Sequence, residues 1–484
     1  MERKRLTRRK ALAGLATAGI GGIAGCTGDG GDGGGGDGGD GSGGDGGDGG
    51  GGDGGDGGDG GGGDGGDGGG SMSGTVTIGV LQPLSGSLKY YGQQALYGFY
   101  QGFNYKGDAD FTPEASTGTK TATVGNVDYE LIIRDTELKP DTAQSVAQDL
   151  VKNESVDLLF GCTSSASASR VASTVSKPAN VTTLLGPAAS ADITANSETC
   201  GSPVFRTSEN TAMDARSGGK YVADNTDVSK VYLFGADYSF GKAVVNNYET
   251  VLKANGVEIV GKKFVPSGHK EWQGLLDNAE SEGAEGIVAG FTVQTLPALF
   301  TTFLNGDYSY KVFGGFATKI TTAIVGQTLQ KELGKPLTKK KLNNANLGPF
   351  TTRYHWNQYD NDINNAFVDS YTSAYGIVPD LFTSGTFVAS SAVVQAVEAA
   401  GSTKGADIQS ALRGMTVADT PKGKDAYTFQ EYNNQARSAM TIANVVPNDN
   451  ENWPAPIKPS APVTTIPASE TTIPKDSPEM GCSL

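Results

Sequence analysis

Histidine is almost missing from this chain: 484 residues contain two, His269 and His355. Neither stands at ligand spacing from a cysteine or a carboxylate motif, so no zinc signature and no histidine-based nucleophile–base pair can be assembled. His269, in SGHKEW, reads as a solvated residue at a helix start, and His355, in TRYHWNQYD, as a packing residue. Cations are also short: 38 Lys and Arg face 53 Asp and Glu, for a net charge of −15. That balance excludes the basic footprint of a nucleic-acid-binding protein. Beyond residue 25 no stretch is apolar enough to cross a membrane as a helix. One glycine-rich loop, Gly235-Ala-Asp-Tyr-Ser-Phe-Gly-Lys-Ala, superficially evokes a phosphate-binding loop. Its Gly-to-Gly-Lys spacing is one residue too long, and Ala243 stands where a magnesium-binding hydroxyl belongs. No catalytic residue, metal or cofactor is expected.

What is present begins with an address. Lys4, Arg5, Arg8, Arg9 and Lys10 form a basic head, and Ala11 to Gly25 is a short run of small and apolar residues. These are signal-peptide features, and Thr7-Arg8-Arg9 supplies the paired arginines of a Tat signal. Ile23-Ala24-Gly25-Cys26 reads as a lipobox, with Cys26 as the lipid-modified N-terminus after cleavage. Residues 27–73 are almost wholly Gly and Asp, a composition that cannot build a core and reads as a disordered tether. The acidity is mostly tether, although the remainder is net negative too, which suits hydration in strong salt, as in a halophilic archaeon. After Asn448 the chain turns rich in Pro, Thr and Ser and reads as an extended tail over 448–484. Four cysteines are present. With Cys26 lipidated, Cys200 and Cys482, both in loop-like sequence, are the favoured disulfide, and Cys162 reads as a small buried thiol behind a strand.

Between tether and tail lie enough residues for two ordinary domains. Thr75-Val-Thr-Ile-Gly-Val-Leu reads as a buried strand, and Gln82-Pro-Leu-Ser-Gly-Ser as a turn-forming loop. A helix follows in which Leu96, Phe99, Tyr100 and Phe103 share one face. Strands are predicted at Val127–Arg134, Val156–Phe160 and Val181–Leu185, with a helix from Asp141 and another from about Ala166. Strand, polar loop, helix is the unit of a parallel α/β domain, whose ligands sit beyond the carboxyl ends of the strands.

The wording resembles the leucine/isoleucine/valine-binding proteins, the receptors of ABC uptake systems, in unbroken order over roughly residues 75 to 446. IGVLQPLSGSLKYYGQQALYGF is similar to their opening unit, GCTSSA to a GPxSSA loop, GPAASAD to an SPSATSP loop, and VFRTS to the first crossing between lobes. VYLFGADYSFG resembles the opening of the second lobe, and Tyr427-Thr-Phe a closing strand. The resemblance implies a two-lobed periplasmic-binding fold of type I, each lobe a parallel sheet flanked by helices, with three hinge crossings. It implies lobe 1 at 74–206 and 351–417 and lobe 2 at 207–350 and 418–447. It also implies a monomeric, lipid-anchored receptor outside the membrane that closes on a small-molecule solute and delivers it to the permease subunits. A ligand sensor of the same fold without a transport role is the alternative.

Residue by residue, the resemblance places Thr163, Ser164 and Ser165 at a helix start, where hydroxyls and free N–H groups suit an anion. Ala188, Ala189 and Ser190 match the second polar loop, Tyr91 the aromatic of the first, and Tyr238 or Phe240 an aromatic of the second lobe. Phe291 falls at another strand end facing the cleft. Amino-acid binders commonly carry a carboxylate where this chain has Phe316, and a buried ammonium without an anion costs several kcal/mol. A zwitterionic amino acid is therefore disfavoured against an amide, a urea-like solute or an aromatic or aliphatic carboxylate, with Lys319 available to an anion.

Overall fold

The computed structural model describes residues 72–86, 88–107, 110–315 and 318–484. Arg8, Arg9, Cys26 and Phe316 lie outside the described residues, as does the Gly/Asp tether up to Ser71. Among the described residues no helix is long and apolar enough to cross a membrane.

The first lobe is built on a sheet of six strands: β1 (Ser73–Gln82), β2 (Gly118–Val124), β3 (Asn126–Asp135), β4 (Leu158–Gly161), β5 (Thr182–Leu185) and β6 (Val204–Phe205). Their order is β2-β3-β1-β4-β5-β6. All pairings are parallel except the β2–β3 hairpin, a strand that nothing in the sequence reading anticipated. β1 sits in the middle, which is why Val76, Ile78, Val80 and Leu81 are all buried and the strand reads as a nearly continuous apolar run. Helix α1 (Lys89–Gly107) lays Leu96, Phe99, Tyr100 and Phe103 into the core, each contributing about 1.5–3 kcal/mol of burial. Phe99 stacks on Phe160 of β4 at 3.9 Å. On its other side α1 meets the helix Thr383–Ala400 so closely that glycine is required. A Cβ on Gly98 would stand 2.2 Å from Thr386 Oγ1, and one on Gly102 2.0 Å from Ser390 Oγ.

The second lobe repeats the plan with β7 (Lys230–Ala236), β8 (Glu258–Val265), β9 (Gly286–Gly290) and β10 (Lys311–Phe313), all parallel in the order β10-β9-β7-β8. The chain passes between lobes at Arg206–Asn210, again at β11 (Phe350–Thr352), and a third time after the small sheet of β12 (Thr416–Val417), β13 (Tyr427–Phe429) and β14 (Ala436–Arg437), on the way to β15 (Met440–Ala443). The first and third passages run side by side, Arg206 bridging Gln435.

Two expected boundaries are corrected. Residues 418–447 do not belong to the second lobe as a block, because Tyr427, Phe429 and Ala436 pack into the first lobe's core and only Val445 reaches the second. Nor is 448–484 a bare extended tail. Its strand β17 (Ile457–Pro459) pairs with β16 (Val445–Pro447), and β18 (Thr464–Ile466) pairs with β15. Trp453 is buried against Trp356 at 4.7 Å, Ile457 joins the second lobe's core, and Cys482 is disulfide-bonded to Cys200. A few large apolar residues spaced through a Pro-rich segment were enough to dock it. Cys162 is buried and free, and burial pushes its thiol up to about 12.

Candidate functional site

The carboxyl ends of β1, β4 and β5 bring three loops to one edge of the first lobe, and a single side chain fastens them. Gln82, the fully buried last residue of β1, accepts from Thr163 Oγ1 at 2.7 Å and donates to the Gly186 carbonyl at 3.0 Å. Thr163-Ser164-Ser165 follows β4 after one residue, Cys162. Ser164 caps the helix Ser165–Val171, accepting from the Ser167 N–H at 3.4 Å. Ser165 Oγ accepts from the Ser190 N–H at 3.1 Å and so pins the next loop.

These loops face the second lobe across a cavity of about 360 Å³. Its first-lobe wall includes Tyr91, Thr163, Ser164, Ser165 and Ala189; its second-lobe wall includes Tyr238, Phe240 and Phe291. All eight were singled out in the sequence. Phe291 is backed edge-on by Trp272 at 5.3 Å, and Tyr91 meets Phe382, another wall residue, at 5.3 Å. The Tyr91 hydroxyl lies 3.4 Å from Thr321 Oγ1 on the opposite lobe, and burial raises its pKa. Leu138 also lines the wall, in a left-handed conformation (φ 60°) rare for a branched side chain. Asp135 steadies that turn by accepting from the Leu84 and Glu137 N–H groups at 2.9 and 2.8 Å.

Other expectations are corrected. Ala188 and Ser190 do not line the cavity, because fully buried Arg206 draws their carbonyls inward: its Nη1 donates to Ser190 O at 2.5 Å and to Ala188 O at 3.4 Å. Burial lowers the Arg206 pKa to about 9. Lys319 does not line the cavity either; its ammonium lies 4.8 Å from the centre of the Tyr90 ring, and burial lowers its pKa. His355 is fully buried and burial lowers it to about 3, while His269 sits outside the cavity, bonded to the Glu271 carbonyl at 2.9 Å.

What the sequence reading missed is the cavity's charged corner. Among the described residues, Asp214 and Arg353 are the charged side chains on its wall, and they hold each other: Arg353 Nε donates to Asp214 Oδ1 at 3.0 Å, and Nη2 to Oδ2. Burial alone would lower the Arg353 pKa, but the Asp214 carboxylate more than offsets it and the net shift is upward. The two residues flank the first and second passages between lobes, and no local motif announces a pair 139 positions apart. Among the described residues, no group of three His, Cys, Asp or Glu side chains could hold a metal ion. The arrangement is that of a recognition site: hydroxyls and aromatic rings on both walls, and one self-neutralised ion pair at the hinge.

A family model described as "Periplasmic binding protein" matches residues 75–451. The chain belongs to the periplasmic binding protein family. Among this family's curated members, the Leu/Ile/Val-binding protein homolog 6 of Brucella abortus (strain 2308) is 27% identical over 344 residues, covering 70% of this chain and 80% of that relative. Solved periplasmic binding proteins share the fold at lower identity. An ABC-type branched-chain amino acid transporter protein of Rhodopseudomonas palustris CGA009 aligns with a TM-score of 0.64 at 23% identity, covering 82% of this chain and 98% of that one. A solute binding protein of an ABC transporter from Rhodopseudomonas palustris BisB5, in complex with 3,4-dihydroxybenzoic acid, aligns with a TM-score of 0.62 at 20% identity over 81% and 98%.

Proposed function

We propose that this protein is the extracytoplasmic solute receptor of an ABC uptake system, exported in folded form on the Tat route and held to the cell membrane by lipid at Cys26. The observation that carries the reading is the cavity of about 360 Å³ whose walls come from both lobes, at the carboxyl ends of the strands of two parallel sheets. Its rings and hydroxyls suit a solute with an apolar body and one polar head group, of the amino-acid, amide or carboxylate kind. A relative named for Leu/Ile/Val binding and a solved protein of the same fold in complex with 3,4-dihydroxybenzoic acid stand on both sides of that range. Closing the lobes completes contacts that the open form lacks, which is the differential affinity a ligand-driven shift requires.

The test is mass spectrometry of the solute released when purified protein is denatured, followed by calorimetry with that solute. Absence of any released solute, together with no heat from leucine, benzoate or benzamide, overturns the receptor reading. For the anchor, Cys26→Ser should release the protein from the membrane fraction; unchanged retention overturns it.

A further inference from the structure

Beyond solute recognition, we infer that Asp380 is an interlobe latch: a first-lobe carboxylate that caps a second-lobe helix and so holds the lobes together without touching the solute. The helix Lys319–Leu333 belongs to the second lobe, whose core takes its Val325 and Leu329. Its N-terminus lacks the usual local partners. Thr318, at the N-cap position, makes no side-chain cap hydrogen bond, and the first turn carries no acidic residue. The cap comes from the other lobe instead. Asp380 stands between the helices Asp362–Tyr375 and Thr383–Ala400, both in the first lobe's core, and its Oδ2 accepts from the Lys319 N–H at 2.8 Å.

The carboxylate is built for this contact. It is fully buried, accepts from the Tyr90 hydroxyl at 3.2 Å and from the Phe382 N–H at 3.3 Å, and so keeps both oxygens occupied. The Lys319 ammonium adds a second interlobe link by lying over the Tyr90 ring of α1 at 4.8 Å. A charged acceptor at a helix N-terminus meets both unpaired N–H groups and the positive end of the dipole. Opening the lobes would separate these partners and leave each to water. Neither Asp380 nor Lys319 lines the cavity, but Leu381, Phe382 and Thr318 beside them do. The latch therefore acts on closure while its chain neighbours meet the solute.

The test needs no solute, so its failure would leave the receptor reading intact. Spin labels on Lys152→Cys and Glu282→Cys, exposed positions on opposite lobes, report the interlobe distance by pulsed electron resonance in the full-length protein after exhaustive dialysis. Wild type should show a closed population. Asp380→Ala should lower the closed-to-open ratio about tenfold or more, the loss expected for a hydrogen bond to a charged group. Lys319→Pro approaches the same bond from the other lobe: proline is well suited to the first helical position and removes the N–H together with the lysine stem and its ammonium. It should open the lobes equally. An unchanged distribution in both variants overturns the latch. So does a change in Asp380→Ala alone, which would confine Asp380 to ordering its own loop.

Discussion

Glu209 and Lys422 form an ion pair at the hinge that is nearly sealed from water, their side chains 2% and 1% exposed, with nitrogen and oxygen 2.7 Å apart. The Glu209 carboxylate also accepts from Tyr427 and from Ser438 at 3.0 Å, and the ammonium donates to the Ala439 carbonyl at 2.7 Å. Burial pushes the Lys422 pKa down even with its partner in place, and burial pushes Glu209 up, but Lys422 and these bonds bring it below its usual value. Glu209→Gln keeps the shape and deletes the charge, leaving an uncompensated buried ammonium. The expected cost is about 3–5 kcal/mol, against less than about 1 kcal/mol for Asp224→Asn in the exposed pair with Lys220. Urea denaturation followed by circular dichroism measures both. The pH dependence adds a second constraint. In Glu209→Gln the folded Lys422 pKa falls further below its unfolded value of about 10.4, so above the folded pKa the unfolded chain binds more protons and the variant regains stability as pH rises toward 10. Its deficit should thus be smaller at pH 9 than at pH 7. The double variant Glu209→Gln/Lys422→Met should be more stable than Glu209→Gln alone. A deficit below 1 kcal/mol, or one that grows with pH, would refute the account of a desolvated, mutually dependent pair.

Removing the hydroxyl in Ser164→Ala should weaken binding of the co-purifying solute by about 1 kcal/mol if its head group is neutral and more if it is a carboxylate, read by calorimetry. Gly98→Ala should destabilise the first lobe by about 1–3 kcal/mol, because the new methyl meets the Thr383 carbonyl at 2.5 Å; a melting temperature equal to wild type would contradict the helix contact. Cys200→Ser/Cys482→Ser should cost about 2–5 kcal/mol and expose the segment after Ile466 to protease, seen by peptide mapping. His355, lowered to about 3 by burial, should stay neutral at pH 5 in nitrogen-detected spectra; because its folded pKa lies below the unfolded value of about 6.5, its contribution to stability is lost as pH falls through that interval.

The strands were legible because a buried parallel strand is a short apolar run, and the loop after each is where site residues gather. Thr163–Ser165, Tyr91 and Phe291 followed from that logic together with the resemblance, and the structure sets them on the cavity wall. Ala188 and Ser190 share a loop with Ala189, yet which way that loop turns is decided by Arg206, whose reach into it is a tertiary fact. Asp214 and Arg353 were invisible for the same reason: each is an ordinary charged residue until two passages of the chain lie side by side. The segment after 448 misled through composition. Proline and threonine argued for an extended strand of solvent, but Trp453 and Ile457 outweighed them once a groove was there to receive them.

The C-terminal segment bears on how the lobes can move. It leaves the second lobe's core at Ile457, lays β18 beside the third passage, ties Glu479 to Arg216 at 2.8 Å and ends covalently on the first lobe at Cys482. Three passages side by side would alone permit rocking, twisting and sliding. A fourth line of attachment, fixed at both ends and displaced from the others, removes the last two. The lobes are left with one rotation, like a book whose spine has been stitched as well as glued, and every solute the cavity accepts must be gripped along that same arc.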